Sequence, residues 1–268
     1  MRVFDFDHAI LRAPARSVVD GLRAHDGPSP SFEGVAAEHR AYAAALADAG
    51  VAVDILPPLE DFPDSPFVED PALTFPEGAI LLRPGTRTRI GEAVHLRTAL
   101  ERHFPLVREI DEGHADGGDV LVTPDLVLIG LSARTDRVGA QALVRVLGGI
   151  GRTARVIRPP EGALHLKTAV SLIDEGSVLT TRAGADSGLF AGFRQIVVPA
   201  GEEAAANALR VNDRLFVGSQ FPATLAMLAD EGVERGYAVV PLDTRQIGLI
   251  DAGLSCMSLR WSRRKAAR

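Results

Sequence analysis

Four short apolar hairpins recur along the chain, and their spacing limits the fold more than any other feature. "DPALTFPEGAILLRP" (70–84) reads as two strands around a Pro-Glu-Gly turn, and "GDVLVTPDLVLIGLS" (118–132) repeats the design around Thr-Pro-Asp. "TAVSLIDEGSVLTTR" (168–182) does so around Asp-Glu-Gly, and "NALRVNDRLFVGS" (207–219) around Val-Asn-Asp. A repeat of about 40 to 50 residues suggests a propeller or a similar array. Helical spacing of apolar residues follows the first, second and fourth hairpins. It is carried by Val94, Leu96, Ala99 and Leu100 in 92–103, by Val138, Leu143, Val144 and Val146 in 136–147, and by Leu225, Met227 and Leu228 in 222–231. The β-rich runs "TARVIRP" and "YAVVPLD" come after the second and third of these helices. The unit is strand, strand, helix, strand.

"FEGVAAEHRAYAAALADAG" (32–50) is an Ala-rich helix stopped by Gly50, and "VAVDILP" is the strand after it. This unit lacks a hairpin unless "RVFDFDHAILR" and "GLSCMSLRW" supply one strand each from opposite ends of the chain. Closure of this kind removes the exposed sheet edges that an open array would carry. The expected fold is therefore α/β: a five-bladed propeller of ββαβ repeats closed by N- and C-terminal strands, with Cys256 on an inner strand. No low-complexity linker interrupts residues 1–268, so one domain is expected. Periodicity alone also suits an unrelated α/β sandwich.

With 46% hydrophobic and 24% charged residues, the composition is that of an ordinary globular protein. A net charge of −6 argues against nucleic-acid binding, which asks for a basic face. No apolar run reaches the roughly 18 residues of a membrane helix, so no membrane partner is expected. "MRVFDFDHAILR" is acidic where a signal peptide is cationic and then apolar. One cysteine forms no internal disulfide, and the cytoplasm is the expected compartment. It also leaves no Cys-based zinc site, and no His pair has the HExxH spacing, so no metal is expected. The glycines of "LGGIGR" follow a helix and stop it; they do not cradle a phosphate.

Four stretches place titratable residues at the starts of different inner strands, which converge on one axis in a closed ring. "PDSPFVEDPAL" holds Asp64, Glu69 and Asp70; "HADGGDVL" holds His114, Asp116 and Asp119; "LHLKTAV" holds His165; "GLSCMSLR" holds Cys256. Each also has a plain structural reading. Asp116 and Asp119 could cap a hairpin that Gly117 and Gly118 turn, and Glu69 and Asp70 could be solvated strand ends. His165, between Leu164 and Leu166, could be a core histidine, and Cys256 a small buried apolar residue.

The joint pattern resembles the guanidine-modifying enzymes, and within them the dimethylarginine dimethylaminohydrolases. The marks are "FVED" (67–70), "RPGTRTRIGE" (83–92), "DGGDV" (116–120), "GLSART" (130–135), "LHLK" (164–167) and "LSC" (254–256), in the family's order. The resemblance implies a five-bladed α/β propeller, in agreement with the hairpin count. It implies Cys256 as nucleophile, His165 as general acid/base and Asp116 as the carboxylate that orients the histidine. It implies Asp70 and Glu69 at the guanidinium, Asp64 near the substrate's amino group, and Arg89 and Arg134 on its carboxylate. The expected substrate is a small guanidino amino acid, and the expected reaction is hydrolysis of an Nω-substituted arginine to citrulline and an amine. The route is a covalent thiouronium, with no cofactor.

A guanidinium is a planar cation with forked donors, which carboxylates match, and its carbon calls for a strong nucleophile such as a thiolate. Deimination of arginine or of another guanidino compound, amidinotransferase-like chemistry, and binding without turnover are the alternatives. The compact length favours the dimethylaminohydrolase-like branch. A homodimer is left open. Gln246 and Ile247 stand where acidic or aromatic residues are often found in the family, and Pro66 and Pro71 stiffen the acidic loop.

Overall fold

The computed structural model describes residues 2–24 and 26–263. β1 (His8–Arg12) and β2 (Ala52–Leu56) run parallel, joined by α1 (Phe32–Asp48). Four units follow, each with an antiparallel hairpin and a third strand parallel to the hairpin's second. They are β3 (Ala72–Phe75), β4 (Gly78–Leu81) and β5 (Val107–Glu109); β6 (Val120–Val122), β7 (Val127–Gly130) and β8 (Ala154–Ile157); β9 (Val170–Asp174), β10 (Ser177–Thr180) and β11 (Arg194–Val197); and β12 (Leu209–Val211), β13 (Arg214–Gly218) and β14 (Ala238–Leu242). The last strand, β15 (Leu259–Trp261), pairs antiparallel with β1, setting His8 opposite Trp261 and Ile10 opposite Leu259. The two ends of the chain thus complete the first blade, and the five sheets form a five-bladed α/β propeller.

The helices are α2 (Val94–His103), α3 (Arg137–Gly149), α4 (Leu166–Ala169), α5 (Arg182–Asp186), α6 (Pro222–Arg235) and α7 (Arg245–Gly248). Ser31 and Asp136 cap α1 and α3 by accepting from the N–H groups of Gly34 and Gly139. The β9–β11 unit keeps only the five-residue α5 between its parallel strands, because "RAGADSG" offers no apolar stripe and Gly188 (φ 73°) ends the turn. Among the described residues, no helix is long and apolar enough to cross a membrane.

Among the described residues five apolar cores lie between neighbouring blades, and alternation along strands such as β1 and β6 feeds two of them. On β1, Ile10 joins Leu81, Leu96 and Trp261, while Ala9 and Leu11 join Val35, Tyr42 and Phe216. On β6, Val120 packs with Ile80 and Leu143, and Leu121 with Val170 and Phe190. Strands buried on both faces are apolar throughout, which is why the hairpins read as continuous apolar runs. A cavity of about 400 Å3 follows the ring axis, lined by inner-strand residues of all five blades.

Candidate active site

The inner strands begin at one end of the axis, and the candidate residues stand at their entrances. Asp70 precedes β3, Asp116 begins the turn into β6, and His165 precedes α4 and β9. Cys256 lies in the single 3-10 turn Ser255–Met257, just before β15 and not on it. Asp251, in the left-handed region at φ 54°, helps to bend the approach.

Two glycines bring the blades together. A Cβ at Gly117 would come within 1.9 Å of the Glu69 carbonyl oxygen. A Cβ at Gly118 would meet the His165 ring at 2.8 Å and Asp70 Oδ1 at 3.0 Å. The pair therefore permits a close approach that any side chain would block. His165 Nε2 lies 3.2 Å from Asp116 Oδ2, and Gly118 N–H donates to Asp70 Oδ1 over 3.0 Å. One ligand atom each from Asp70, Asp116 and His165 falls within 4.8 Å of the others. These are ligand types that can gather a metal ion, which would have to compete with a proton on His165.

Burial alone would lower the pKa of His165. The hydrogen bond to Asp116 and the charges of Asp70 and Asp119 outweigh it, so the pKa is raised. Burial pushes Asp70 up, but Arg89, His165, the Gly118 N–H and Lys167 together hold it below the usual carboxylate range. Asp116 and Asp64 are raised, chiefly by burial. Burial pushes the Cys256 thiol up to about 12, with the Glu69 and Asp70 charges acting in the same direction. The Gly253 N–H, 3.5 Å from Sγ, and Lys167 oppose that rise.

Asp64 accepts from Leu22 N–H through Oδ1, while its Oδ2, like Asp116 Oδ1, is buried and takes no hydrogen bond among the described residues. Arg134 is half-buried, with Nη1 2.6 Å from Thr86 Oγ1. The structure gives the other two expected substrate ligands protein partners. Arg89, 3% exposed, turns its guanidinium inward to Asp70, Glu92 and the carbonyls of Asp64 and Phe67. Glu69 turns away from Asp70 and accepts from Ser255 Oγ at 2.7 Å, Lys167 Nζ at 2.6 Å and Arg260 Nη2 at 3.0 Å. His114, on the same stretch as Asp116, is exposed at the surface, with Nδ1 3.3 Å from the Arg83 carbonyl oxygen.

Sequence reasoning missed the fifth blade's contribution. Asn207, at the entrance of β12, accepts from Ser255 N–H at 3.1 Å and donates through Nδ2 to the Lys167 carbonyl at 3.0 Å and to Ser255 Oγ at 3.2 Å. It ties the turn that holds Cys256 to the segment that carries His165. Its place in the hairpin period was the available signal. Asp119 plays a similar part, holding Ser132, Thr135 and Leu166 N–H.

The arginine deiminase family model matches residues 55–195. The chain is 37% identical over 258 residues to the N(G),N(G)-dimethylarginine dimethylaminohydrolase of Pseudomonas aeruginosa, across 96% of this chain and all of that one. It belongs to the dimethylarginine dimethylaminohydrolase family. The family's enzyme from Streptomyces coelicolor is 32% identical, with 94% of this chain and 96% of that one covered. Among solved structures of the family, a cysteine-to-serine variant from Pseudomonas aeruginosa complexed with citrulline superposes with a TM-score of 0.90 at 36% identity, covering 96% of this chain and all of that one. A histidine-to-glycine variant, as its adduct with S-methyl-L-thiocitrulline, gives the same TM-score and identity over 95% of this chain and 99% of that one.

Proposed function

We propose that the chain hydrolyses a Cζ–N bond of an Nω-substituted arginine, monomethylarginine or dimethylarginine, to give citrulline and an alkylamine. One observation carries this reading. Three blades bring Asp70, Asp116 and His165 together beside the turn of the single cysteine, and buried carboxylate oxygens on Asp116 and Asp64 lack donors among the described residues. Unpaired buried carboxylate oxygens are costly unless a ligand supplies the donors. A guanidinium at one end and an ammonium at the other supply them. Relatives named for the reaction, one carrying citrulline and one a thiocitrulline adduct, support the same reading.

The chemistry follows from the charges. Without a cation nearby, burial and two carboxylates keep Cys256 as the thiol. A bound guanidinium offsets those carboxylates and favours the thiolate, whose proton is lost to solvent because His165 already carries one. Sulfur attacks Cζ and forms a tetrahedral adduct. His165, protonated and aligned by Asp116, gives its proton to the departing nitrogen as the C–N bond breaks. The thiouronium that remains is attacked by water, whose proton His165 accepts, and the C–S bond breaks to release citrulline. Asp70 reads the guanidinium, and Arg89 acts on the substrate through Asp70 by keeping that carboxylate ionised. Arg134 takes the α-carboxylate. Glu69 acts from below, as a support for the nucleophile turn. Citrulline release measured from arginine, monomethylarginine and dimethylarginine tests the assignment. Turnover of the methylated substrates is expected, and turnover of arginine alone would make the chain a deiminase.

A further inference from the structure

The axial cavity is a separate compartment from the site just described. Glu69, Lys167, Asn207, Ser255 and Arg260 line its inner end, while Asp70, Asp116, His165 and Cys256 do not reach it. Its other end, the mouth, is lined by the hairpin turns at Pro76, Pro124 and Glu175. At that mouth Arg2 pairs with Asp5 and Arg152 with Glu77, so these charges cancel. Deeper in, Lys167 and Arg260 share one carboxylate, that of Glu69. Arg210, 3% exposed, has no carboxylate partner among the described residues. It donates to the carbonyls of Asn212 and Ile173 and lies over the Phe4 and Tyr237 rings. The inner end therefore holds two cations against one carboxylate, inside a chain whose net charge is −6.

Three polar atoms on residues that line the cavity lack partners among the described residues: Arg260 Nε, Trp261 Nε1 and the Oγ of Ser171, a residue 8% exposed. Between these polar groups the walls carry apolar side chains, Phe4, Phe6, Leu121 and Leu172 among them. An apolar cavity of this size with a few convergent donors has the make-up of a small-molecule site.

We propose that the axial cavity is a second ligand site, for a small monocarboxylic acid with an apolar body, and that its occupant restrains the nucleophile through Glu69. The ligand's carboxylate meets Lys167, Arg260 and Ser171, and its body lies along the aromatic and leucine walls. Glu69 then loses cationic partners to the ligand. Glu69 also accepts from Ser255 Oγ and donates its backbone N–H to the Cys256 carbonyl over 3.1 Å, so the turn that aims the thiol loosens with it. The substrate ligands Asp70, Asp64 and Arg134 keep their own contacts. The two sites are thereby coupled, with the effect falling on turnover and not on substrate affinity.

Octanoate is the probe. Calorimetric titration of the full chain should show saturable one-to-one binding that saturating citrulline leaves unchanged, and octylamine should not bind. At saturating octanoate, kcat should fall by about 5-fold or more, with KM unchanged. Ser171→Asp adds a fixed carboxylate that mimics the bound ligand, so it should abolish octanoate binding and itself lower basal kcat, with KM unchanged. Val122→Asp, on another inner strand lining the cavity, serves the same purpose if Ser171→Asp fails to fold. Absence of saturable binding, equal binding of octylamine, or undiminished binding by the folded variants would overturn the site. Displacement by citrulline, a rise in KM, or binding that leaves kcat unchanged would overturn the coupling. Binding is read without turnover, so the result stands apart from the outcome of the hydrolase assay.

Discussion

Cys256 is held in a setting that resists ionisation, and that is its most testable property. With the thiol pushed up to about 12 by burial and then by Glu69 and Asp70, little thiolate exists in the free protein at neutral pH. Alkylation by the neutral reagent iodoacetamide should therefore keep rising by about tenfold per pH unit beyond pH 9, past the ordinary thiol value of about 8.5. Asp70→Asn should bring the midpoint down, because it removes one of the charges that oppose the thiolate. A plateau at the ordinary value in the wild type would sink this account of the resting state. Asp70→Asn also separates cation reading from carboxylate reading. Hydrogen bonds to charged groups contribute about 1.5–3 kcal/mol, so an inert guanidinium analogue of arginine should lose one to two orders of magnitude in affinity, and citrulline should lose little. Arg134→Ala should weaken both, because both carry the α-carboxylate. Calorimetric titration distinguishes the two patterns, and equal losses for both ligands in Asp70→Asn would mean that Asp70 supports its loop instead of reading the cation.

At the scale of elements, the nucleophile turn depends on a neighbour that makes no contact with the thiol. The Oδ1 of Asn207 sits where a Cβ on Gly253 would come within 2.4 Å, and Gly253 N–H faces the sulfur. Asn207→Ala should lower kcat by about tenfold or more at nearly constant KM and raise the Cys256 alkylation midpoint, since the amide that favours the thiolate loses its seat. An unchanged midpoint with normal kcat would reduce Asn207 to packing. Which strand entrance each candidate occupies was legible in the sequence, because the hairpin period fixes it. The direction in which a buried side chain turns was not. Glu69 and Asp70 are adjacent, yet one faces Lys167 and Arg260 and the other faces His165 and Arg89. Those pairings join residues up to 191 positions apart, which no local spacing reports. Gln246 gains a reason from the same kind of contact: its Oε1 accepts from Ser31 N–H at 2.8 Å, fastening α7 to the start of α1.

Ring closure sets the scale of the whole molecule, since Cys256 reaches the axis only because β15 joins the blade begun by β1. Asn212, at φ 54° in the hairpin between β12 and β13, secures the N-terminal segment. Its Oδ1 accepts from Phe6 N–H, and its Nδ2 donates to the carbonyls of Phe6 and Ala49. Asn212→Gly suits the left-handed backbone but deletes these bonds, so stability should fall by about 1–3 kcal/mol in chemical denaturation. A variant as stable as wild type would show that closure rests on the apolar cores alone. The ring itself was readable because four hairpins announce a fifth unit that needs both chain ends. The charged floor beneath the nucleophile was not, because it exists only once the ring has closed. The central claim is that Cys256 carries the reaction covalently and that the substituted nitrogen leaves first. Rapid-quench mass spectrometry of the Cys256 peptide during turnover tests both parts together. Monomethylarginine and asymmetric dimethylarginine should give one and the same adduct mass, because the alkylamine has already departed. No adduct on Cys256, or two adducts that differ by a methyl group, would contradict the account.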